Sequence, residues 1–286
     1  SAARTQPARD LLAALFRVST YAGDERQSAG AALDQARAAF KGVWYLDGGW
    51  QSLVTGLLDV AKREGVEVVT GAPVVAVEHG AAVRGVRLGD GSFVACDEVV
   101  IAAGPEVARS LVSGEAAERI GAWAEAAIPV EAACLDLVVT KRAERPTFAL
   151  GLDRPFYFSV HSRTAKLGPE DREVIHVAKY LGAQAADAKR DEAELEAFLD
   201  GVEPGWRAHV IERRFLPRMT VTHALVSAAM GGLAGRPGPD LAGVAGLVLA
   251  GDWIGPTAML ADAALASGRA AARRLVESRA PSAVAC

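Results

Sequence analysis

The sequence predicts a mixed chain, α/β in its central layer and α+β overall. Two short apolar runs, 98–102 (EVVIA) and 247–250 (LVLA), each lead into a helical stretch, the strand–loop–helix rhythm of a layered α/β unit. Between them, residues 130–222 carry longer β-rich runs with partial alternation, as in an antiparallel sheet with one face in water. Helical periodicity marks both ends of the chain.

The bulk properties set outer limits. With 286 residues the chain has room for one large or two modest domains and a substantial core. It is 51% hydrophobic and 23% charged, an ordinary globular mix. A net charge of -4 leaves no electrostatic footprint for nucleic acid or anionic lipid. Cys96, Cys134 and Cys286 are odd in number and far apart, which favours a reducing, cytoplasmic setting over a disulfide framework. No apolar run approaches the roughly 18 residues of a spanning helix. The opening SAARTQPARD lacks the apolar region of a signal peptide, and processing or truncation would explain a start at Ser.

Residues 1–40 read as helical. Leu11, Leu12, Leu15, Phe16 and Val18 make one apolar face, and Ser28 is a fitting N-cap for a second helix over 28–40. Gly48-Gly49 then precede a helix whose apolar positions are Leu53, Val54, Leu57, Leu58 and Ala61, with Gly65 as its C-cap stop. The β-branched runs 66–69 and 74–77, separated by Thr70-Gly71-Ala72-Pro73, read as strand, turn, strand. Residues 83–88 and 93–95 flank Asp90-Gly91, a hairpin signal because Asp-Gly supplies the positive φ values of a tight turn. The buried strand 98–102 ends in Ala103-Gly104-Pro105 and is followed by helices over 106–111 and 116–126.

From about Pro129 the character changes. Runs 132–140, 156–161 and 174–180 read as strands, 187–200 as a polar helix, and 209–221 as a strand interrupted by Pro217. Residues 222–238 are Gly- and Pro-rich and read as a loop. The strand 247–250 then runs into Gly251-Asp252, a loop through Gly255-Pro256, and an Ala-rich helix over about 261–277. Periodicity alone does not separate so short an apolar run from a helix. The start of the last helix presents free N–H groups and partial positive charge, suited to an anion or a polarised oxygen.

The motif Gly-Asp, loop, DAALASGRAAA resembles the C-terminal cofactor motif of the flavin amine oxidase and phytoene desaturase superfamily. That resemblance implies FAD as cofactor, with Gly251 and Asp252 under its pyrophosphate and ribitol and the Asp252 carboxylate accepting from a hydroxyl. It implies that the helix start at Leu260-Ala261 points N–H groups at the flavin O2, where charge grows on reduction. Gly48-Gly49 with the following helix are similar to a second family block, whose next strand meets adenine through backbone near Val75. Ala103-Gly104 resemble the strand-end motif beside the cofactor.

The implied architecture is the remnant of an FAD-binding Rossmann-like domain, discontinuous over 42–129 and 223–286. A helical segment spans 1–41, and an antiparallel-sheet substrate domain covers 130–222. The resemblance implies an FAD-dependent oxidoreductase that passes hydride from a small-molecule substrate to flavin N5.

One departure is large. No strand with G-x-G-x-x-G, the unit that holds the ADP phosphates, occurs in these residues, and Gly231–Gly235 have neither its spacing nor its flanking elements. The sequence is therefore expected to be a C-terminal portion of such an enzyme, or one part of a split or cleaved one that needs a second polypeptide for the ADP moiety. A third reading is a non-catalytic binding protein that keeps the fold. Alone, the chain is expected to bind FAD weakly or not at all, and to form a homo-oligomer or aggregate through strands left without neighbours.

No catalytic side chain stands out. His79, His161, His176, His209 and His223 are dispersed without metal-ligand spacing. His161 and His176 fall on expected strands and could face a substrate. A flavin carries the redox step itself, so no obligatory catalytic residue is required. Trp44, Tyr45, Trp50 and Trp253 could wall a flavin pocket, and core packing explains them about as well.

Overall fold

A computed structural model describes residues 4–182 and 187–279; Cys286 and the first three residues of the opening SAARTQPARD lie outside them. In chain order the elements are helices α1 (Gln6–Thr20), α2 (Ala29–Phe40) and α3 (Trp50–Arg63), then strands β1 (Val74–His79), β2 (Val83–Leu88), β3 (Phe93–Ala95) and β4 (Val99–Ile101). Helices α4 (Pro105–Ser110) and α5 (Gly114–Ala126) lead to β5 (Val130–Thr140), β6 (Phe148–Leu150), β7 (Phe156–Val160) and β8 (Arg172–Leu181). Helix α6 (Ala188–Val202), strands β9 (Val210–Thr222) and β10 (Leu247–Leu249), and helix α7 (Leu260–Arg279) complete the order. Among the described residues, no helix is long and apolar enough to cross a membrane. The elements gather into two compact units.

The first unit holds the residues up to Glu25, Ala32–Val68 and Val130–Val221. Its five-stranded sheet runs β6-β7-β8-β5-β9. The central pairs are antiparallel, with Asp136 opposite His176, Leu137 opposite Ile175 and Val138 opposite Val174. Alternation sends Leu135, Leu137, Phe156, Phe158, Ile175 and Val177 to one face, where they are buried with Leu195 and Leu199 of α6 and with Trp206. Helix α6 starts where Asp187 accepts a hydrogen bond from the Arg190 N–H at 3.1 Å. The expected proline interruption does not break β9. Pro217 sits inside a continuous strand at the edge of the sheet, the position in a sheet that tolerates proline.

Helix α3 is amphipathic, yet none of its residues is buried. The run 66–69 expected as a strand forms none, because a strand exists only with a ladder partner and none of the described residues supplies one. The boundary expected at residue 42 falls inside this unit. The Gly48 N–H donates to the Lys166 carbonyl at 2.8 Å and the Lys166 N–H donates to Asp47 at 2.8 Å, which ties the turn before α3 to the sheet's connections.

The second unit holds Arg26–Ala31, Val69–Pro129 and the chain from Thr222 onward. Strands β1, β2 and β3 form an antiparallel sheet whose hairpin closes at Asp90-Gly91. There the Asp90 carboxylate accepts from the Ser92 N–H at 2.9 Å and from its hydroxyl at 2.7 Å. Strands β4 and β10 pair in parallel, Val99 with Leu247 and Ile101 with Leu249. Their core joins Ile101, Ile120, Leu247, Leu249, Trp253 and Ile254. Helix α7 lays Ala271 and Leu275 on Val248 and Ala250, an approach its many alanines permit.

Candidate functional site

The site grows from the end of β10. The Ala250 N–H donates to the Ile101 carbonyl at 3.0 Å, so the parallel register extends one residue past the strand. The next N–H, of Gly251, donates to the Ser267 hydroxyl of α7 at 2.9 Å, and that hydroxyl donates to the Ala264 carbonyl at 2.8 Å. A buried serine thus pins the strand end to the helix. A Cβ on Gly251 would lie 2.9 Å from the Trp253 indole. That indole is buried and donates from Nε1 to the Ala103 carbonyl at 2.9 Å, joining the ends of β10 and β4.

The Asp252 carboxylate accepts twice from one residue, His223: from its backbone N–H at 2.9 Å and from its ring Nδ1 at 2.9 Å. A carboxylate only accepts, so the imidazole proton lies on Nδ1. The Asp252 side chain is 12% exposed and that of His223 47%, so the pair opens outward through the imidazole. The ring rests on Gly104, where a Cβ would come within 2.3 Å of its Cδ2. Gly104, His223 and Asp252 are one interlocked group.

The turn into α7 is strained. Ala258 and Leu260 each have φ 57, the left-handed region that costs a residue with a Cβ roughly 1–2 kcal/mol. Arg236 holds this turn, donating from Nη1 to the Ala258 carbonyl at 2.9 Å. Burial lowers the pKa of its guanidinium, against the pull of Asp252. The Ala263 N–H is bonded back to Met259 at 3.3 Å, so the N–H groups of Leu260 and Ala261 stand at the helix's open end.

Val75 is placed differently from the group around Asp252. It lies on β1, where Val74 pairs with Leu88 and Ala76 with Arg87, so Val75 is the extra residue of a bulge and its backbone leaves the ladder. Gly48 and Gly49 belong to the first unit. Both take positive φ, 79 and 72, a turn that only glycine enters without strain, and the Ser52 hydroxyl closes it by donating to the Gly49 carbonyl at 2.6 Å. The structure thus brings Ala103, Gly104, Gly251 and Asp252 together and sets Leu260 and Ala261 at the start of α7 in the same unit. Sequence reasoning missed His223, Arg236 and Ser267. None carries a spacing signal, and each acts across 16 to 29 residues of chain (Ser267 on Gly251, Arg236 on Ala258, His223 on Asp252). Among the described residues, no group of three or more His, Cys, Asp or Glu is arranged to hold a metal ion.

A parallel strand pair with a Gly-Asp strand end and a helix start in one unit, and a five-stranded antiparallel sheet in the other, are the parts of a flavoprotein oxidoreductase fold. Residues 2–260 match the family described as FAD dependent oxidoreductase, and the chain belongs to that family. No curated protein sequence matches it. Among solved structures it is similar to a protein from Pyrococcus furiosus, at 17% identity and a TM-score of 0.63, over 93% of this chain and 64% of that one. It is also similar to cyclohexylamine oxidase from Brevibacterium oxydans, at 15% identity and a TM-score of 0.60, over 96% of this chain and 66% of that one. An oxidoreductase from Methanosarcina mazei matches at 15% identity and a TM-score of 0.61, over 79% of this chain and 55% of that one. The chain therefore spans 55 to 66% of the length of these three relatives.

Proposed function

We propose that the protein works as an FAD-dependent oxidoreductase of the amine oxidase and phytoene desaturase type, and that these residues bear on the flavin and ribitol end of the cofactor. The FAD, when bound, supplies the two-electron step, taking a hydride from a small organic substrate at N5. The residues fit such a group. Asp252 is a carboxylate at the surface end of a fixed strand, with lone pairs left over after His223 is satisfied, and it accepts from a ribitol hydroxyl. Gly104 and Gly251 present backbone without side chains. The first-turn N–H groups at Leu260 and Ala261 meet the flavin oxygen where negative charge grows, and Arg236 keeps that turn in its strained form. The bulged backbone at Val75 is free to meet adenine. No chain residue is asked to perform the redox chemistry; the protein orients and excludes water.

In this reading the ADP phosphates are held by residues outside these 286, on further sequence or on a second polypeptide, because the sequence contains no strand with G-x-G-x-x-G. The observation that carries the proposal is the Asp252 group beside the strained start of α7. The test is FAD titration by fluorescence quenching. Asp252→Ala removes a charged acceptor worth about 1.5–3 kcal/mol, so affinity falls by roughly 10- to 100-fold. Unchanged affinity in Asp252→Ala refutes the assignment of the site.

A further inference from the structure

The five-stranded sheet of the first unit carries a second, separate constellation on the face opposite its core. The four tyrosines of the chain, Tyr21, Tyr45, Tyr157 and Tyr180, all meet there. Asp136 and His176 stand opposite each other on β5 and β8, and Tyr157 on β7 faces Ala178, two residues on from His176. Period-two alternation therefore puts Asp136, His176, Tyr157 and Tyr180 on one side of the sheet.

The contacts link them into a chain. Asp136 accepts from His176 Nδ1 at 2.6 Å. The His176 ring lies 4.4 Å from that of His161, centroid to centroid. His161 Nε2 meets the Tyr157 hydroxyl at 3.0 Å, and Tyr45 packs edge-on against His161 at 5.4 Å. Burial raises the Tyr157 pKa, so its phenol keeps its proton; where it gives that proton to Nε2, the His161 proton lies on Nδ1. Farther along β8 the Tyr180 hydroxyl is buried, its residue 2% exposed, and has no hydrogen-bond partner among the described residues.

We infer that this face is a binding site for a neutral ring compound bearing a hydroxyl group, a phenol-type molecule. The two imidazoles are in ring contact, and each has one nitrogen without a hydrogen-bond partner among the described residues. His176 Nε2 accepts, because its Nδ1–H is committed to Asp136, and His161 Nδ1–H donates. One hydroxyl offers the matching donor and acceptor. Tyr45 and Tyr157 supply ring surface for edge-on or offset contact with an aromatic ligand. The Asp136 carboxylate is already bonded to His176 Nδ1, and burial, with His176 close by, holds His161 neutral down to a pKa of about 4. With His161 neutral and His176 accepting, neither imidazole brings a cation for a carboxylate ligand. The Tyr180 hydroxyl, unmatched among the described residues, is a further polar point on the same face that a ligand could meet.

The site uses none of the residues assigned to the cofactor, so its failure leaves the proposed redox function standing. The probe is 4-fluorophenol, followed by fluorine NMR on the purified chain, with 4-fluorobenzylammonium and 4-fluorobenzoate as charged analogues. Saturable binding of 4-fluorophenol, tighter than that of either analogue, is the expected result in the unaltered protein and needs no variant. His176→Gln removes the accepting nitrogen and Tyr157→Phe removes only a hydroxyl, so the ring and its packing survive. Each is expected to weaken binding by about tenfold or more, the effect of one lost hydrogen bond in a partly buried site. No saturable binding, tighter binding of a charged analogue, or affinity within about threefold of the unaltered protein in either variant overturns the inference.

Discussion

Replacing Gly104 by Ala tests whether the cofactor-side group is interlocked. The backbone at Gly104 has φ -64 and ψ 161, which alanine adopts freely, so any cost is steric. The new Cβ would stand 2.3 Å from His223 Cδ2 and 2.6 Å from its Nε2. Ordinary carbon contact begins near 3.5 Å, so the ring must retreat by about 1.2 Å. Its Nδ1 is held 2.9 Å from Asp252, and that retreat breaks the bond. A charged hydrogen bond is worth about 1.5–3 kcal/mol, and the half-exposed ring regains water as it swings out, which puts the cost near 1–2 kcal/mol. For a chain of this size that lowers Tm by about 2–8 °C. Thermal unfolding of Gly104→Ala, His223→Ala and the double variant gives the coupling directly. Once the imidazole is gone, Gly104→Ala should shift Tm by less than about 1 °C. An equal loss with and without the imidazole would show that the glycine answers to something other than His223.

Two further predictions concern the first unit. Arg145 is fully buried between Glu173, at 2.7 Å, and Glu203, at 2.9 Å. Among the described residues, Arg145→Met leaves Glu173 only the half-buried Arg163 as a cation and Glu203 only Arg142, and should cost about 1.5–3 kcal/mol in urea unfolding. Adding Glu173→Gln and Glu203→Gln should recover most of it; a loss under about 1 kcal/mol in the single variant contradicts the burial argument. Burial, with repulsion from His176, lowers the His161 pKa from 6.5 to about 4. The unfolded chain therefore takes up a proton across that window that the folded chain refuses, and stability falls as pH drops through it. Tm at pH 5 should lie below Tm at pH 7.5, and His161→Gln should shrink the gap; an unaltered gap assigns the dependence to other groups.

Local chemistry was readable from sequence, and distant pairing was not. The Asp90-Gly91 hairpin carries its signal within a few residues, as does the Ser28 cap, whose hydroxyl accepts from the Ala31 N–H at 3.4 Å. Gly65, with φ 81, stops α3 where the Gly65 N–H returns to the Lys62 carbonyl. The Gly251-Asp252 strand end was recognisable because strand, loop and helix are contiguous. The run 66–69 misled because β-branched residues report only a willingness to pair, and pairing needs a neighbour. His223 on Asp252, Arg236 on Ala258 and the four tyrosines on one sheet face arise from register and chain return, which leave no mark in residue spacing. The β1 bulge at Val75 is likewise a property of two strands together.

The central claim is that these residues grip FAD by its flavin and ribitol end, with no hold on its ADP phosphates and no more than a backbone contact near Val75 for its adenine. Parallel titrations of FAD and riboflavin, which differ by the ADP portion, test it on one preparation by flavin fluorescence. The account predicts dissociation constants within about threefold of each other, a difference under 1 kcal/mol. FAD binding about 100-fold more tightly than riboflavin would mean that the chain holds the ADP moiety after all, and would contradict it.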